Sequence, residues 1–343
     1  MSDEPVSSAR KEYLLDRIRR MTTDDTIIAD VIQQACGVPL QEKVRITEGF
    51  SNEVYAVTTR DGQRVIVRIH WYESPYFESE QWALARCAQH DLPTPRILLV
   101  QHHMPGGTPR SICVETRLEG VTLRSFLTAE TRPQDQARRL LSEAGGLLAR
   151  VHTVPTVGFG RINALGVALA PSWEAYIRRT SPDLIRRAAQ NVGIVAQDVT
   201  DACRLSQEYQ RMWAHTQPCL LHGDLSLQHL MVHQDHISGM IDFEFPESGD
   251  PAMDLAYWGY WDAFHGSSFP VEWLLEGYHQ HTPIDAAFRL RLAGSRLQLS
   301  LDKLSYHGVR DYGSPGMREF LQTSFQRDLK AIRDHVAYWR PHE

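Results

Sequence analysis

Short alternating runs fill the first third of the chain, and helical periods fill the rest. From Arg45 onward apolar and polar residues trade places. "EVYAVTT" and "RVIVRI" alternate in this way on either side of "RDGQ". An Asp-Gly pair between alternating segments predicts a hairpin, because glycine tolerates the positive φ of a tight turn. "YFESEQWALARCAQHDL" is helical in character, "PTPRILLV" restarts a strand, and "SICVETRLEG" is a further strand ending at Gly120. Residues 1–114 therefore read as a strand-rich lobe with one inserted helix, behind a polar, charged arm.

After Gly120 the period changes. Leu140, Leu141, Ala144, Leu147, Leu148 and Val151 fall on one helical stripe. Ser181 before Pro182, and Asp250 before Pro251, have the form of N-caps with proline in the first turn. Segments 271–281, 284–307 and 316–339 are also helical by pattern. One β element stands out here, "LMV…ISGMIDF", a hairpin turned at residues 233–236. The predicted class is α+β and bilobal. An antiparallel-sheet lobe (1–114) leads through a linker (115–120) to a larger, mainly helical lobe (121–343).

Composition agrees with a soluble globular protein: 343 residues, 42% hydrophobic and 23% charged. No apolar run follows a basic segment at the N-terminus, and no stretch nears the roughly 18 apolar residues of a membrane helix. Cys36, Cys87, Cys113, Cys203 and Cys219 form no CxxC pair and read as reduced thiols. A cytoplasmic monomer is the expectation. The net charge of −6 and the lack of a basic stripe exclude a general nucleic-acid binder. The charge is uneven: fourteen acidic residues between Asp198 and Phe288 face only Arg204 and Arg211. This run reads either as solvated acidic helices or as a surface that attracts a cation.

The stretch "LLHGDLSLQHLMV" sets His222 and Asp224 on a turn, with His229 after them, and Asp242 ends the next strand in "SGMIDF". The hairpin between them returns the chain, so both carboxylates can face one pocket. Three chemistries suit such a trio. In phosphoryl transfer one Asp takes the proton of a hydroxyl, while the other and a neutral side chain hold Mg²⁺ on nucleotide phosphates. In a metal hydrolase His222, Asp224 and His229 are ligands. In a purely structural role the Asp side chains cap turns and backbone groups satisfy the His rings. His229, His233 and His236 lie on strand and turn and share no helical face, and no cysteine is near them in sequence, which disfavours zinc.

Phosphoryl transfer makes further demands on the chain. A loop over the phosphates falls at "TEGFSNEVY", with Gly49, Ser51 and Asn52 at the bend, although an ordinary hairpin turn reads the same way. A cation is needed on the next strand. Arg68 in "VIVRIH" supplies it, with Glu80 of the following helix as partner and Glu78 as alternative. The bland reading is a surface ion pair worth ~0–1 kcal/mol. Guanidinium binds phosphate oxygens bidentately and stays charged. A linker strand must offer backbone groups to adenine, and Glu115, Thr116 and Arg117 in "CVETRLEG" are placed for that.

These residues resemble the aminoglycoside phosphotransferase family, which shares the kinase-like bilobal fold. "HGDLSLQH" looks like its catalytic loop, "IDF" its metal segment, and "GDPAMDLA" its motif at the head of the next helix. "EGVTLRSFL" and "VGFGRINALGVALAPSWEAYI" look closest to hygromycin B phosphotransferases, which also carry Arg at the Arg68 position. The resemblance implies an ATP- and Mg²⁺-dependent small-molecule kinase. Its catalytic residues would be Asp224 as base and His222 as its brace, with Asp254 bracing the same loop and Asp242 as main metal ligand. His229 departs from the asparagine of most members. Macrolide phosphotransferases are similar in having histidine there and "SGMID" beside it. An imidazole nitrogen suits Mg²⁺ less well than an amide oxygen, so Mn²⁺ is expected to substitute, and GTP is an alternative donor.

The family's acceptor lies between the catalytic loop and the helices after it. Glu244, Glu247, Asp262, Glu272 and Glu276 in that region imply a cationic acceptor, an aminoglycoside first of all. Trp258 and Trp261 lie three apart, so either could stack on a sugar ring, with Tyr257, Tyr260 and Phe264 as core. The rivals are a macrolide kinase, a sugar or amino-alcohol kinase, and a non-catalytic nucleotide-binding module.

Overall fold

A computed structural model of the chain describes residues 22–47, 52–71, 76–103, 109–128, 133–177, 182–213, 217–264, 269–307 and 315–339. The N-terminal arm and Ser181 lie outside them.

The N-terminal lobe is a five-stranded antiparallel sheet. Its strands β1 (Leu40–Ile46), β2 (Glu53–Thr59), β3 (Arg64–His70), β4 (Ile97–His103) and β5 (Arg110–Thr116) stand in the order β1-β2-β3-β5-β4. The predicted β2–β3 hairpin pairs Tyr55 with Val67 and Val57 with Val65. One sheet face packs Tyr55, Val57, Val65, Val67 and Ile69 on Ile28, Val31 and Ile32 of helix α1 (Asp25–Cys36). The sequence pattern passes over α1 because its apolar stripe is only three buried residues long. Side chains alternate along a strand, so Arg68 leaves β3 on the opposite face, toward helix α2 (Tyr76–Gln89).

The second lobe begins with β6 (Val121–Thr122), α3 (Leu123–Thr128) and α4 (Gln134–Val151). The apolar stripe expected on α4 is buried along its whole length. Then come β7 (Phe159–Ile162), β8 (Ala168–Ala170), α5 (Trp173–Ile177), α6 (Pro182–Val192) and α7 (Ala196–Trp213). The site region follows with β9 (Cys219–Leu221), β10 (Leu230–His233), β11 (His236–Met240) and β12 (Glu247–Gly249). Four helices close the chain: α8 (Ala252–Phe264), α9 (Val271–His279), α10 (Ala286–His307) and α11 (Pro315–Trp339).

The lobe holds more β structure than the single hairpin the sequence shows. β10 and β11 join β6 in a three-stranded sheet, and four short strands form another in the order β8-β7-β12-β9. Strands of three or four residues have too few positions for alternation to register, so they escape a pattern reading. Gly120 takes φ 106° where the linker crosses the β10–β11 hairpin, and a Cβ there would meet the Val232 carbonyl oxygen at 1.9 Å. Only glycine fits that crossing. All five cysteines are free thiols. Among the described residues no helix is long and apolar enough to cross a membrane.

Candidate active site

The turn after β9 is held from below by one buried carboxylate. Asp254, in the first turn of α8, accepts the His222 amide at 2.7 Å and the Gly223 amide at 2.9 Å. His152 Nε2 reaches the same carboxylate at 3.1 Å, and its Nδ1 meets the Tyr278 hydroxyl at 2.8 Å. Burial alone would raise the Asp254 pKa, but His152 and then His222 outweigh it and hold it below the ordinary range. As expected from Asp-Pro, Asp250 caps α8, its carboxylate accepting the Ala252 amide at 2.8 Å. Gly223 has φ 79°, and a Cβ there would lie 2.1 Å from the Phe245 carbonyl oxygen, so the turn requires glycine.

His222 ties this turn to the strand end that carries Asp242. It is fully buried, and its Nε2 donates to the Ile241 carbonyl at 3.0 Å. Its Nδ1 accepts the Asp224 amide at 3.3 Å. Burial, then the neighbouring His229, lowers its pKa, which leaves the ring neutral at pH 7. Asp224 itself sits half-buried at the turn.

His229 stands between the two aspartates. Its Nδ1 lies 2.6 Å from the Asp224 carbonyl, which can only accept, so the ring proton belongs on Nδ1. In the neutral ring Nε2 then carries a lone pair, and it faces Asp242 Oδ2 at 3.4 Å. A proton on Nε2 or a cation bound by both groups completes that contact. Asp242 adopts φ 68°, a strained conformation for aspartate that aims its carboxylate into the cleft. Burial would raise its pKa, but Arg68, then His229 and His222, hold it below the ordinary value. Among the described residues no group of three or more His, Cys, Asp or Glu is placed to hold a metal ion. A two-ligand set suits an ion such as Mg²⁺, which completes its shell with water and phosphate oxygens.

Arg68 enters this cleft from the other lobe, buried among carboxylates and 5.2 Å from the centre of the Phe77 ring. Its Nη1 bonds both Glu80 oxygens at 2.7 and 2.8 Å, and its Nη2 bonds Asp242 at 2.7 Å. Glu115 lies 3.5 Å and Glu244 3.6 Å away. Burial, opposed by Arg68 and aided by Glu115 and Asp242, pushes Glu80 up from 4.5 to about 8. The folded protein thus keeps a proton that the unfolded chain releases near 4.5. The stability this contributes is complete below that pH and is lost as pH rises through about 8. Glu80→Gln should flatten the fall in urea-unfolding stability between pH 5 and 8, in ~unit steps of pH. An unchanged slope in the variant would remove Glu80 as its source.

The structure relocates several expected site residues. Glu80 keeps its expected pairing with Arg68, while the alternative, Glu78, pairs with His102. The Thr116 amide donates to the Arg96 carbonyl at 2.9 Å and the Arg117 amide to the Arg64 carbonyl at 3.2 Å. Those two N–H groups are engaged with neighbouring chain segments, which leaves the carbonyl oxygens as the groups they could offer a nucleotide. Glu115 instead turns its side chain onto Arg68. Glu244 belongs to the same cleft, accepting from the Asn52 amide group at 3.4 Å. Trp258 is 3% exposed and lies in the apolar core, so it cannot stack on a sugar. Gly49 and Ser51 lie outside the described residues, as do the side chains of Trp261 and Asp262.

The acidic run is also less acidic in space than along the chain. Asp198 and Asp201 pair with Arg333, Glu247 with Arg161, Asp250 with Arg291 and Glu276 with Arg138. Each of these cations comes from outside residues 198–288. Glu276 forms its pair on the α4–α9 surface. The sequence reading named neither Lys303, which lies 3.4 Å from the hydroxyl of Tyr257, a residue read as core, nor Arg161, which pairs with Glu247. The only sequence signal for Lys303 is that lysine is rare in this chain.

A family model described as "Phosphotransferase enzyme family" matches residues 43–288. No curated protein sequence matches the chain. Among solved structures, the chain is similar to a thermostable mutant of the aminoglycoside phosphotransferase APH(4)-Ia in ternary complex with AMP-PNP and hygromycin B. The identity is 17%, with 89% of this chain and 98% of that one covered and a TM-score of 0.69. A putative fructosamine-3-kinase from Thermobifida fusca is similar at 17% identity, covering 90% and 98% with TM-score 0.63. The macrolide 2'-phosphotransferase MphH from Brachybacterium faecium follows at 17%, covering 88% and 97% with TM-score 0.53. At these identities the likeness shows a shared bilobal fold.

Proposed function

The chain belongs to the phosphotransferase enzyme family, and on that premise we propose that it moves the γ-phosphoryl group of ATP onto a hydroxyl of a small molecule. One observation carries the proposal: Asp224 and Asp242 flank His229 at one cleft, into which the other lobe delivers Arg68 on Glu80. Asp224 accepts the proton of the acceptor hydroxyl as its oxygen bonds to phosphorus and the bond to the ADP oxygen breaks. Transfer is direct, with no phosphoenzyme. Arg68 binds phosphate oxygens with a fixed fork of donors. Asp242 and His229 would hold a divalent cation, which when bound would offset charge on the phosphates. His222 and Asp254 keep the turn in place and touch no substrate.

For the acceptor, an aminoglycoside of the hygromycin B kind is the first choice. It is supported by the resemblance of "VGFGRINALGVALAPSWEAYI" and by the structural neighbour that binds hygromycin B. The residue at 229 favours a second reading, a macrolide acceptor with GTP as donor. Incubation with ATP or GTP, Mg²⁺ or Mn²⁺, and a panel of both antibiotic classes separates the two. Acceptor-dependent release of ADP is the expected result. Nucleotide binding without transfer to any acceptor would leave a non-catalytic nucleotide-binding module instead.

A further inference from the structure

The β7–β8 hairpin of the second lobe reaches across to the helix that carries Glu80. Its first strand is joined to the segment that follows Asp242. Arg161 pairs with Glu247 and Gly160 with Ser248 in the β7–β12 ladder, and the Ile162 amide donates to the Pro246 carbonyl at 3.0 Å. The Arg161 guanidinium lies 3.2 Å from Glu247 and 4.1 Å over the Phe245 ring. The tip of the hairpin is a fixed turn. Asn163 Oδ1 accepts the Leu165 amide at 2.9 Å and the Val167 amide at 3.0 Å, and the Asn163 carbonyl accepts the Gly166 amide at 2.9 Å. Gly166 takes φ 77° and lies directly against the indole of Trp82, so that a Cβ there would overlap Cε2, Nε1 and Cζ2 of the ring. Both the positive φ and the close approach call for glycine.

Trp82 comes two residues after Glu80 on α2. A helix turns about 100° per residue, so the two side chains leave on nearly opposite sides. Glu80 meets Arg68, and Trp82 meets the hairpin. The contacts close a circuit through both lobes. Arg68 is gripped by Glu80 on Nη1 and by Asp242 on Nη2. From Glu80 the circuit runs along α2 to Trp82, across to Gly166, and down β7 to the strand that follows Asp242. We propose that Trp82 is a positioning residue: its seat on Gly166 sets the distance between α2 and the Asp242 segment, and so keeps Glu80 in place on Arg68. A guanidinium binds phosphate well only when its fork is held in one orientation, and Glu80 is the group that fixes this fork. The inference rests on the phosphotransferase reading and deepens it.

Nucleotide affinity reports on this arrangement, because Arg68 is the group that meets the phosphates. Calorimetry with AMP-PNP and Mg²⁺, and urea unfolding of the same preparations, compare the unaltered protein with Trp82→Ala, Trp82→Phe and Gly166→Ala. Trp82→Ala and Gly166→Ala should each weaken AMP-PNP binding about tenfold, and the double variant should be no weaker than the worse of the two. Trp82→Phe keeps a ring face against Gly166 and should recover most of the loss. In a Glu80→Gln background the Trp82→Ala loss should vanish, since α2 no longer presents a carboxylate to Arg68. A contact that serves packing alone would lower unfolding stability and leave the AMP-PNP affinity of the folded variants unchanged, or would add in full to the Glu80→Gln loss. Either result overturns the assignment. If Trp82→Ala melts early, Gly166→Ala and Trp82→Phe carry the comparison. Failure of the unaltered protein to bind AMP-PNP overturns the phosphotransferase reading, and this inference with it.

Discussion

Asp224→Asn is expected to slow acceptor-dependent ADP release by roughly a hundred- to ten-thousand-fold, the usual share of a general base. Nucleotide affinity should persist. Asparagine has the size and shape of aspartate and fits the half-buried turn. The backbone contacts survive the change as well: the Asp224 amide still donates to His222 Nδ1, and its carbonyl still accepts from His229. What is lost is the carboxylate that takes the hydroxyl proton. Single-turnover transfer and calorimetric nucleotide binding, measured on the same preparation, separate the two effects. A variant that turns over near the normal rate would falsify Asp224 as base.

Asp254→Ala is expected to be the most damaging change for stability. The buried carboxylate accepts three hydrogen bonds, from the His222 amide, the Gly223 amide and His152. Alanine leaves three donors facing a cavity in a region closed to solvent. Breaking such a buried charged network costs about 3–5 kcal/mol, out of a total stability that is typically about 5–15. Turnover should fall with it, because the same bonds set the direction of Asp224. Asp254→Asn keeps the volume and one acceptor oxygen and should lose less. Urea unfolding of the three proteins gives the ranking. An alanine variant within about 1 kcal/mol of the original would show that the turn is held by other means.

The site was legible in the sequence where its residues lie close along the chain. His222, Asp224, His229, Asp242 and Asp254 all fall within residues 222–254, and their spacing is set by one turn, one hairpin and one helix cap. Local geometry fixes such a set, so a motif can carry it. Arg68 and Glu80 were legible for a related reason, since a strand face and the next helix determine where they point. The acceptor side was not. Trp258 and Tyr257 are neighbours on α8, yet Trp258 is core and Tyr257 faces Lys303. Nothing local distinguishes them, because the choice depends on which helices pack against α8.

Charge divides the two levels most clearly. The chain alone establishes the strand-rich lobe, the helical lobe, the phosphotransferase motif and an acidic stretch with almost no basic residues of its own. It does not establish that the stretch is acidic in space. Arg138, Arg161, Arg291 and Arg333 reach its carboxylates from four other elements. Coulomb interaction acts through distance in space, and residues far apart in the chain become neighbours only when the helices pack. The turn at residues 222–224 is therefore a property of the sequence, whereas the charge around it is a property of the tertiary fold.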